Sequence, residues 1–209
     1  MSLVPKAPLL ILASGSPRRQ SLLAEAGLRF QVVVAEVPES STSALSMREL
    51  TTWNAARKAA AVARLQRKAV VLGADTLVSL DGKAIGKPAD LREAANTLRR
   101  LSGREHQVCT AVCLCSGQRP PLSFCVLSHV RFCELDDEQI AAYLAAIDPL
   151  DKAGAYAAQG HGRKIIARIR GSYTNVVGLP MSETLRALRS FGVTANASAK
   201  ITASTRGPA

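Results

Sequence analysis

Pro8-Leu9-Leu10-Ile11-Leu12-Ala13 is an unbroken apolar run that stops at Ser14-Gly15-Ser16-Pro17-Arg18-Arg19. A run of that length closed by turn residues predicts a buried strand over Leu9–Ala13 and a tight turn after it. Ser16 occupies an N-cap position and Pro17 the first helical one. A helix is therefore predicted from Pro17 to Ala26, with Leu22, Leu23 and Ala26 on its buried stripe and Gly27 ending it. Phe30–Val34 reads as the next strand, and the polar stretch Ala35–Ala44, which carries Glu36 and Glu39, as a loop. A long helix follows from about Met47 to Leu65, with Ser46 as its cap. Ala69–Ala74 is apolar without alternation, the pattern of a central strand covered on both faces. It continues through Asp75-Thr76-Leu77-Val78 to a turn at Asp81-Gly82.

In the second half, residues 90–101 have helical spacing, with Leu91, Ala94, Ala95, Leu98 and Leu101 facing inward. Gln107–Cys115 and Leu122–Phe132 read as paired strands joined by a turn at Gly117–Pro121. Asp136–Ala146 is a predicted helix with acidic residues in its first turn, as the helix dipole prefers. Then come a Gly-rich segment from Asp151 to Gly162, a strand over Lys164–Ile169 and a last helix from about Pro180 to Ser190. Beyond Val193 the chain is Ala, Ser, Thr, Gly and Pro without a pattern, so 7–192 is the expected folded unit and 193–209 a disordered tail. Helices and strands alternate and a hairpin is inserted later, which gives an α/β class with a mixed sheet. There is no internal repeat.

Composition narrows the function. The 209 residues are enough for one core, or one domain with two lobes, and 47% of them are hydrophobic. Aromatic residues make up only 4%, which argues against a base-stacking platform for single strands. A net charge of +11 points to a polyanionic partner, either nucleic acid or a nucleotide polyphosphate. Arg57, Lys58, Arg64, Arg67 and Lys68 share one predicted helix, and Arg163, Lys164, Arg168 and Arg170 surround a late strand. No helix-turn-helix, zinc-finger or RNA-recognition signature accompanies them, and much of this charge reads as a solvated face. The five cysteines, Cys109, Cys113, Cys115, Cys125 and Cys133, are odd in number and lack a C-x-x-C pair. Cys109, Cys113 and Cys115 alternate onto one strand face, so core packing is expected, and a reducing cytoplasm with it. The first apolar run is too short for a membrane span and meets two arginines, not a cleavage site.

Candidate chemistry begins at the first turn. Arg18 and Arg19 fall in the first turn of a helix, where backbone N–H groups already carry positive partial charge. Two readings fit: a capped surface helix with solvated arginines, or an anion site that needs them. Asp75 interrupts an apolar strand, where a carboxylate is costly unless paired. It is a metal ligand or general base if buried, and an ordinary exposed residue if the buried run ends at Ala74. Connectivity brings Lys87, in Gly86-Lys87-Pro88, near the same edge. Asp151–Gly160 is too Gly/Ala-rich for ordinary packing and suits a backbone-lined ligand loop, with Gln159 offering donor and acceptor to a base. His106, His129 and His161 lack metal spacing and read as structural or surface residues. Neither G-x-x-x-x-G-K-[ST] nor G-x-S-x-G occurs.

Taken in order, Ser14–Arg19, Gly73-Ala74-Asp75-Thr76, Gly86-Lys87-Pro88, Leu101-Ser102-Gly103-Arg104-Glu105-His106, Asp151–Gly160 and Gly171–Pro180 resemble the Maf family over about residues 8–192. The resemblance implies a nucleoside triphosphate pyrophosphatase that cleaves between the α- and β-phosphates. It also implies a fold like that of the inosine triphosphatases, an elongated twisted sheet with two lobes around a cleft. Its catalytic positions fall on Asp75, Lys87 and Glu39. Its substrate positions fall on Ser14, Arg18, Arg19, Lys58, Thr76 and Gln159, with Arg18, Thr76 and Gln159 sorting the base. Asp75 and Glu39 correspond to the ligands of a divalent cation, Mg²⁺ or Mn²⁺. The motifs are similar to the branch acting on dTTP and UTP, and less so to the one acting on methylated guanine nucleotides. The resemblance further implies a homodimer in the cytoplasm. A non-enzymatic nucleic-acid binder or septum regulator is the competing class. Gly86 departs from a commonly acidic position before Lys-Pro, and Ala56-Arg57-Lys58-Ala59 from a usual Glu-Lys-Ala.

Overall fold

The apolar runs of the sequence become strands of one sheet in the computed structural model, which describes residues 8–42 and 44–195. In chain order the elements are β1 (Leu10–Leu12), α1 (Pro17–Glu25), β2 (Phe30–Val32), α2 (Met47–Leu65), β3 (Val70–Leu80) and β4 (Lys83–Ile85). They continue with α3 (Leu91–Leu101), β5 (Glu105–Ser116), β6 (Arg119–Phe132), α4 (Asp137–Ala145), β7 (Ile166–Arg170), α5 (Tyr173–Val177) and α6 (Met181–Ser190). Short 3₁₀ turns at Ala153–Ala155 and Gly160–Lys164 lie between α4 and β7.

The strand order is β2-β1-β3-β5-β6-β7, parallel across β2-β1-β3 and antiparallel from β3 onward. The mixed α/β class expected from the sequence is therefore observed. One edge of β3 is filled by β5. Along the other, β1 pairs only with Val70–Leu72 and β4 only with Val78–Leu80. Gly73–Leu77 is left without a strand neighbour on that side, so the sheet parts at its centre. This break positions the site.

The sheet separates two cores. Ile11, Ala13, Val71, Ala111, Cys113 and Cys115 pack beneath α2 with Ala55, Ala59 and Val62. The cysteines thus serve as small core residues, as their spacing predicted. The larger cluster on the opposite face joins Leu12, Leu72, Ala74 and Val112 to α1, α3, α4 and α6 through Leu23, Leu98, Ile140 and Leu188. Successive residues of a strand point to opposite faces. Gly73 and Asp75 accordingly face α2, while Ala74 and Thr76 face α1.

Four expectations are corrected. β2 ends at Val32 and is half exposed, because it is an edge strand with few apolar neighbours to bury it. Lys164 belongs to a 3₁₀ turn, so β7 begins at Ile166. α5 is unforeseen: Tyr-Thr-Asn-Val-Val favours strand, yet the Ser172 side chain caps it by accepting from the Asn175 amide. Ser16 makes no side-chain cap; its own amide donates to Ser14 Oγ instead. The Asp81-Gly82 turn forms as predicted, with positive φ at both residues. Of the expected tail, 196–209 lies outside the described residues, as does residue 7.

Candidate active site

The break in the sheet opens a cavity of about 640 Å³. Its walls include Ser14, Arg18 and Arg19 at the start of α1, Glu39 from the loop before α2, and Lys58 on α2. Asp75 and Thr76 on β3, Lys87 after β4, and Asp151 and Lys152 before the first 3₁₀ turn complete the polar part. Val78, Val108, Tyr156, Ala158 and Val176 belong to its apolar lining.

The close approach of α2 to β3 assembles the carboxylates. Gly73 has no side chain to hold the helix away, and the main chain at Ala55 and Ala59 lies directly over it. Two residues on, Asp75 is 4% exposed, so the buried alternative holds. Lys58 Nζ donates to Asp75 Oδ1 at 2.7 Å and to Glu39 Oε1 at 2.7 Å, and Lys87 Nζ reaches Glu39 Oε2 at 3.3 Å. One ammonium thus ties together two carboxylates from distant parts of the chain. Burial alone pushes the Glu39 carboxyl up, but hydrogen bonds and charge from Lys58 and Lys87 outweigh it and hold it below the usual range. Lys87 keeps this contact with Gly86 before it, and a Cβ at Gly86 would meet open space.

The two arginines differ sharply. Arg19 is buried, and its guanidinium donates to Gly178 O (2.8 Å), Ser14 Oγ (2.9 Å), Ala74 O (3.0 Å) and Thr76 Oγ1 (3.1 Å). These bonds use four of its five N–H donors. Burial pushes its pKa below the ordinary value, against the attraction of Asp75. Arg19 therefore ties the turn after β1, β3, α1 and the end of α5 together, a role that neither sequence reading of it included. Arg18 is partly exposed and reaches across the cavity mouth to Asp151 at 3.3 Å. Burial raises the Asp151 carboxyl, but Lys152 and Arg18 draw it below its usual range.

The α1 N-terminus remains open. Pro17 has no amide hydrogen, and the Arg18 and Arg19 amides meet no acceptor among the described residues. Ser14 Oγ accepts from both Ser16 N and Arg19 Nη1, so its own proton is free to be donated. Thr76 is more committed. Thr110 gives its only proton to Asn175 O at 2.8 Å, so the 2.9 Å Thr76–Thr110 contact must use the proton of Thr76. Thr76 thus retains acceptor capacity alone.

Gln159, expected against the base, does not line the cavity; it stands next to Ala158 at the start of the second 3₁₀ turn. The sequence reading also missed Asn54, whose Nδ2 donates to Asp75 Oδ2 at 3.3 Å, and His106 as a partner of the cavity wall. His106 Nε2 lies 2.8 Å from the Tyr156 hydroxyl, and burial pushes its pKa down to about 4. Its place in the Ser102–His106 motif was a signal. Asn54, four residues before Lys58 on one helix face, gave a weaker one.

Among the described residues, no three His, Cys, Asp or Glu side chains converge as a metal cage. Asp75 and Glu39, hard oxygen donors already joined through one cation, do fit an ion that binds one or two carboxylates and takes phosphate and water oxygens for the rest.

Fold and site define a mixed α/β protein with a cleft of net positive charge at a break in its sheet. A family model described as Maf-like protein matches residues 9–191. The chain belongs to the Maf family. It is 45% identical over 188 residues to a dTTP/UTP pyrophosphatase of Akkermansia muciniphila, covering 88% of this chain and 97% of that protein. It is 49% identical over 187 residues to one of Symbiobacterium thermophilum, covering 88% and 94%. A solved structure of the Staphylococcus aureus Ham1 protein aligns at a TM-score of 0.48 and 14% identity, over 87% of this chain and 98% of that one. No helix among the described residues is long and apolar enough to cross a membrane.

Proposed function

We propose that the protein hydrolyses dTTP and UTP to the monophosphate and pyrophosphate. The observation that carries the reading is the Asp75–Lys58–Glu39 bridge facing the uncapped start of α1 across one cavity. The names of the two relatives support the choice of substrate. The phosphates lie between the bridge and the helix. There the Arg18 and Arg19 amides and the Ser14 hydroxyl donate to phosphate oxygens. Arg18 exchanges Asp151 for phosphate, and Lys58 and Lys87 neutralise charge that grows as the phosphoanhydride breaks. Asp75 accepts a proton from the water that attacks the α-phosphorus. The bond from that phosphorus to the bridging oxygen then breaks, and pyrophosphate leaves. Asp75 and Glu39 would hold the divalent cation, Mg²⁺ or Mn²⁺, which when bound supplies further neutralisation of the phosphates. The base lies against the apolar lining beside Val78 and Tyr156.

The test is pyrophosphate release from dTTP, UTP, dCTP and 7-methylguanosine triphosphate with each metal. Asp75→Asn should lower turnover on the order of 10³-fold while circular dichroism stays that of the parent. Near-parental turnover in that variant would remove Asp75 from the chemistry. The net charge of +11 keeps nucleic-acid binding as a second reading. Tight, salt-sensitive retention of DNA or RNA on filters without triphosphate hydrolysis would favour it. Sedimentation of the same preparation tests the expected homodimer.

A further inference from the structure

α2 presents a second polar side chain on the face that carries Lys58. Asn54 is 3% exposed and makes three hydrogen bonds. Its Oδ1 accepts from the Ser40 amide at 2.9 Å, while Nδ2 donates to the Ser40 carbonyl at 3.1 Å and to Asp75 Oδ2 at 3.3 Å. Both amide hydrogens and the carbonyl are thereby used. The orientation admits no alternative. Turned over, the oxygen would confront a carbonyl and a carboxylate, and the NH₂ group would confront an N–H.

The grip on Ser40 resembles that of a neighbouring strand, since one side chain pairs with both its N–H and its C=O. The segment from Val33 to Thr42 has no helix or strand of its own. It depends on α2, where Arg57 Nη1 holds Pro38 O at 2.9 Å, Lys58 holds Glu39 and Asn54 holds Ser40. Lys58 and Lys87 are cations that a phosphate can recruit, so their hold on Glu39 loosens when substrate enters. The hold of Asn54 does not, because a neutral buried amide has no competing ligand and would be left unsatisfied if it let go.

We infer that Asn54 is a positioning residue for the hydrolysis: through one amide it fixes the loop carrying Glu39 relative to Asp75. This rests on the functional reading above. Asn54 touches Asp75 and the main chain next to Glu39, and it acts through those carboxylates. A leucine at 54 keeps the volume and loses all three bonds. An aspartate keeps the acceptor for the Ser40 amide, loses both donors and sets a second carboxylate against Asp75.

The experiment compares the parent with Asn54→Leu and Asn54→Asp. It measures kcat and KM for dTTP, thermal unfolding, and hydrogen exchange at the Ser40 amide in the folded protein without substrate. The expected result for Asn54→Leu is a fall in kcat of about 10²-fold, the scale of an ångström-sized misplacement, with KM within about threefold. Ser40 exchange should accelerate in Asn54→Leu and stay closer to the parent in Asn54→Asp, which preserves the bond to that amide, while kcat falls in both. A purely structural role would lower the unfolding temperature and leave kcat of the folded fraction unchanged. That result overturns the inference, and so does unchanged Ser40 exchange in Asn54→Leu. If the parent released no pyrophosphate, the functional reading would fall and the positioning role with it. The clamp itself is still read by exchange, so the two failures are separable.

Discussion

Gly73→Ala tests the contact on which the geometry of the site depends. A Cβ at this position would lie 2.4 Å from Ala55 O, 2.6 Å from Ala59 N and 2.9 Å from Ala59 Cβ. Two of those atoms belong to the α2 main chain, so no side-chain rotation relieves the clash. Carbon contacts are comfortable from about 3.5 Å, and α2 must therefore recede by about 1 Å. Overpacking of this kind costs about 1–3 kcal/mol. For a domain of this size that is a fall in Tm of roughly 3–10 °C. Catalysis should suffer more, because Asn54 and Lys58 ride on the displaced helix. The Asn54–Asp75 bond is already 3.3 Å, and a further ångström breaks it. Turnover should drop by about 10²-fold. Differential scanning fluorimetry and a pyrophosphate-release assay with dTTP measure both effects. Gly86→Ala, where the new Cβ meets nothing within 4 Å, is the control for stability. A Gly73→Ala protein with parental Tm and kcat within threefold of the parent would refute the argument.

Two further outcomes follow from buried groups. His106 ionises at about 4 instead of 6.5 because burial disfavours its cation, so the unfolded chain takes up a proton first as pH falls. Its contribution to stability is whole above pH 6.5, declines between 6.5 and about 4, and amounts to a loss on the order of 3 kcal/mol at the acid end. His106→Phe should flatten that part of the urea-denaturation profile against pH, and an unchanged slope would contradict it. Arg19→Met leaves Ala74 O, Gly178 O and two hydroxyls without their donor. It should cost on the order of 3 kcal/mol by equilibrium unfolding, and a loss below about 1 kcal/mol would show that water replaces the guanidinium.

Much of the architecture was legible because the strands are long apolar runs whose punctuation is explicit. Ala69–Val78 reads as a strand and forms β3 from Val70 to Leu80, and Asp81-Gly82 turns where the sequence says. The failures have a common physical origin. Ser16 has the right residue type for a cap, but nothing local reveals that Ser14 Oγ takes its amide. In sequence, Arg19 reads either as solvated or as an anion ligand. Its burial follows from four acceptors on the turn after β1, on β3 and at the end of α5, which only the folded chain brings together. Asn54 is only faintly marked for the same reason, since its partners are 14 and 21 residues away. Gln159 shows the converse: the motif brings the residue to the neighbourhood, and the turn it precedes sets it beside the cavity lining, next to Ala158.

The separation of the arginines also changes what the excess charge means. Five cations line the cavity (Arg18, Arg19, Lys58, Lys87 and Lys152) against three carboxylates (Glu39, Asp75 and Asp151), a surplus of two positive charges. Arg19 spends its donors on the protein, so most of its attraction for an anion acts through space and not through contact. In the proposed function the neutral groups, two backbone amides and the Ser14 hydroxyl that Arg19 itself aligns, then contact phosphate beside Arg18. Neutral donors bind phosphate without a competing carboxylate to displace. Lys58 and Lys87, by contrast, are already engaged with Glu39 and Asp75. A modest surplus built this way disfavours tight retention of the pyrophosphate product. In the proposed function Asp75 and Glu39 would hold the divalent cation, which when bound would add to the neutralisation that Lys58 and Lys87 supply.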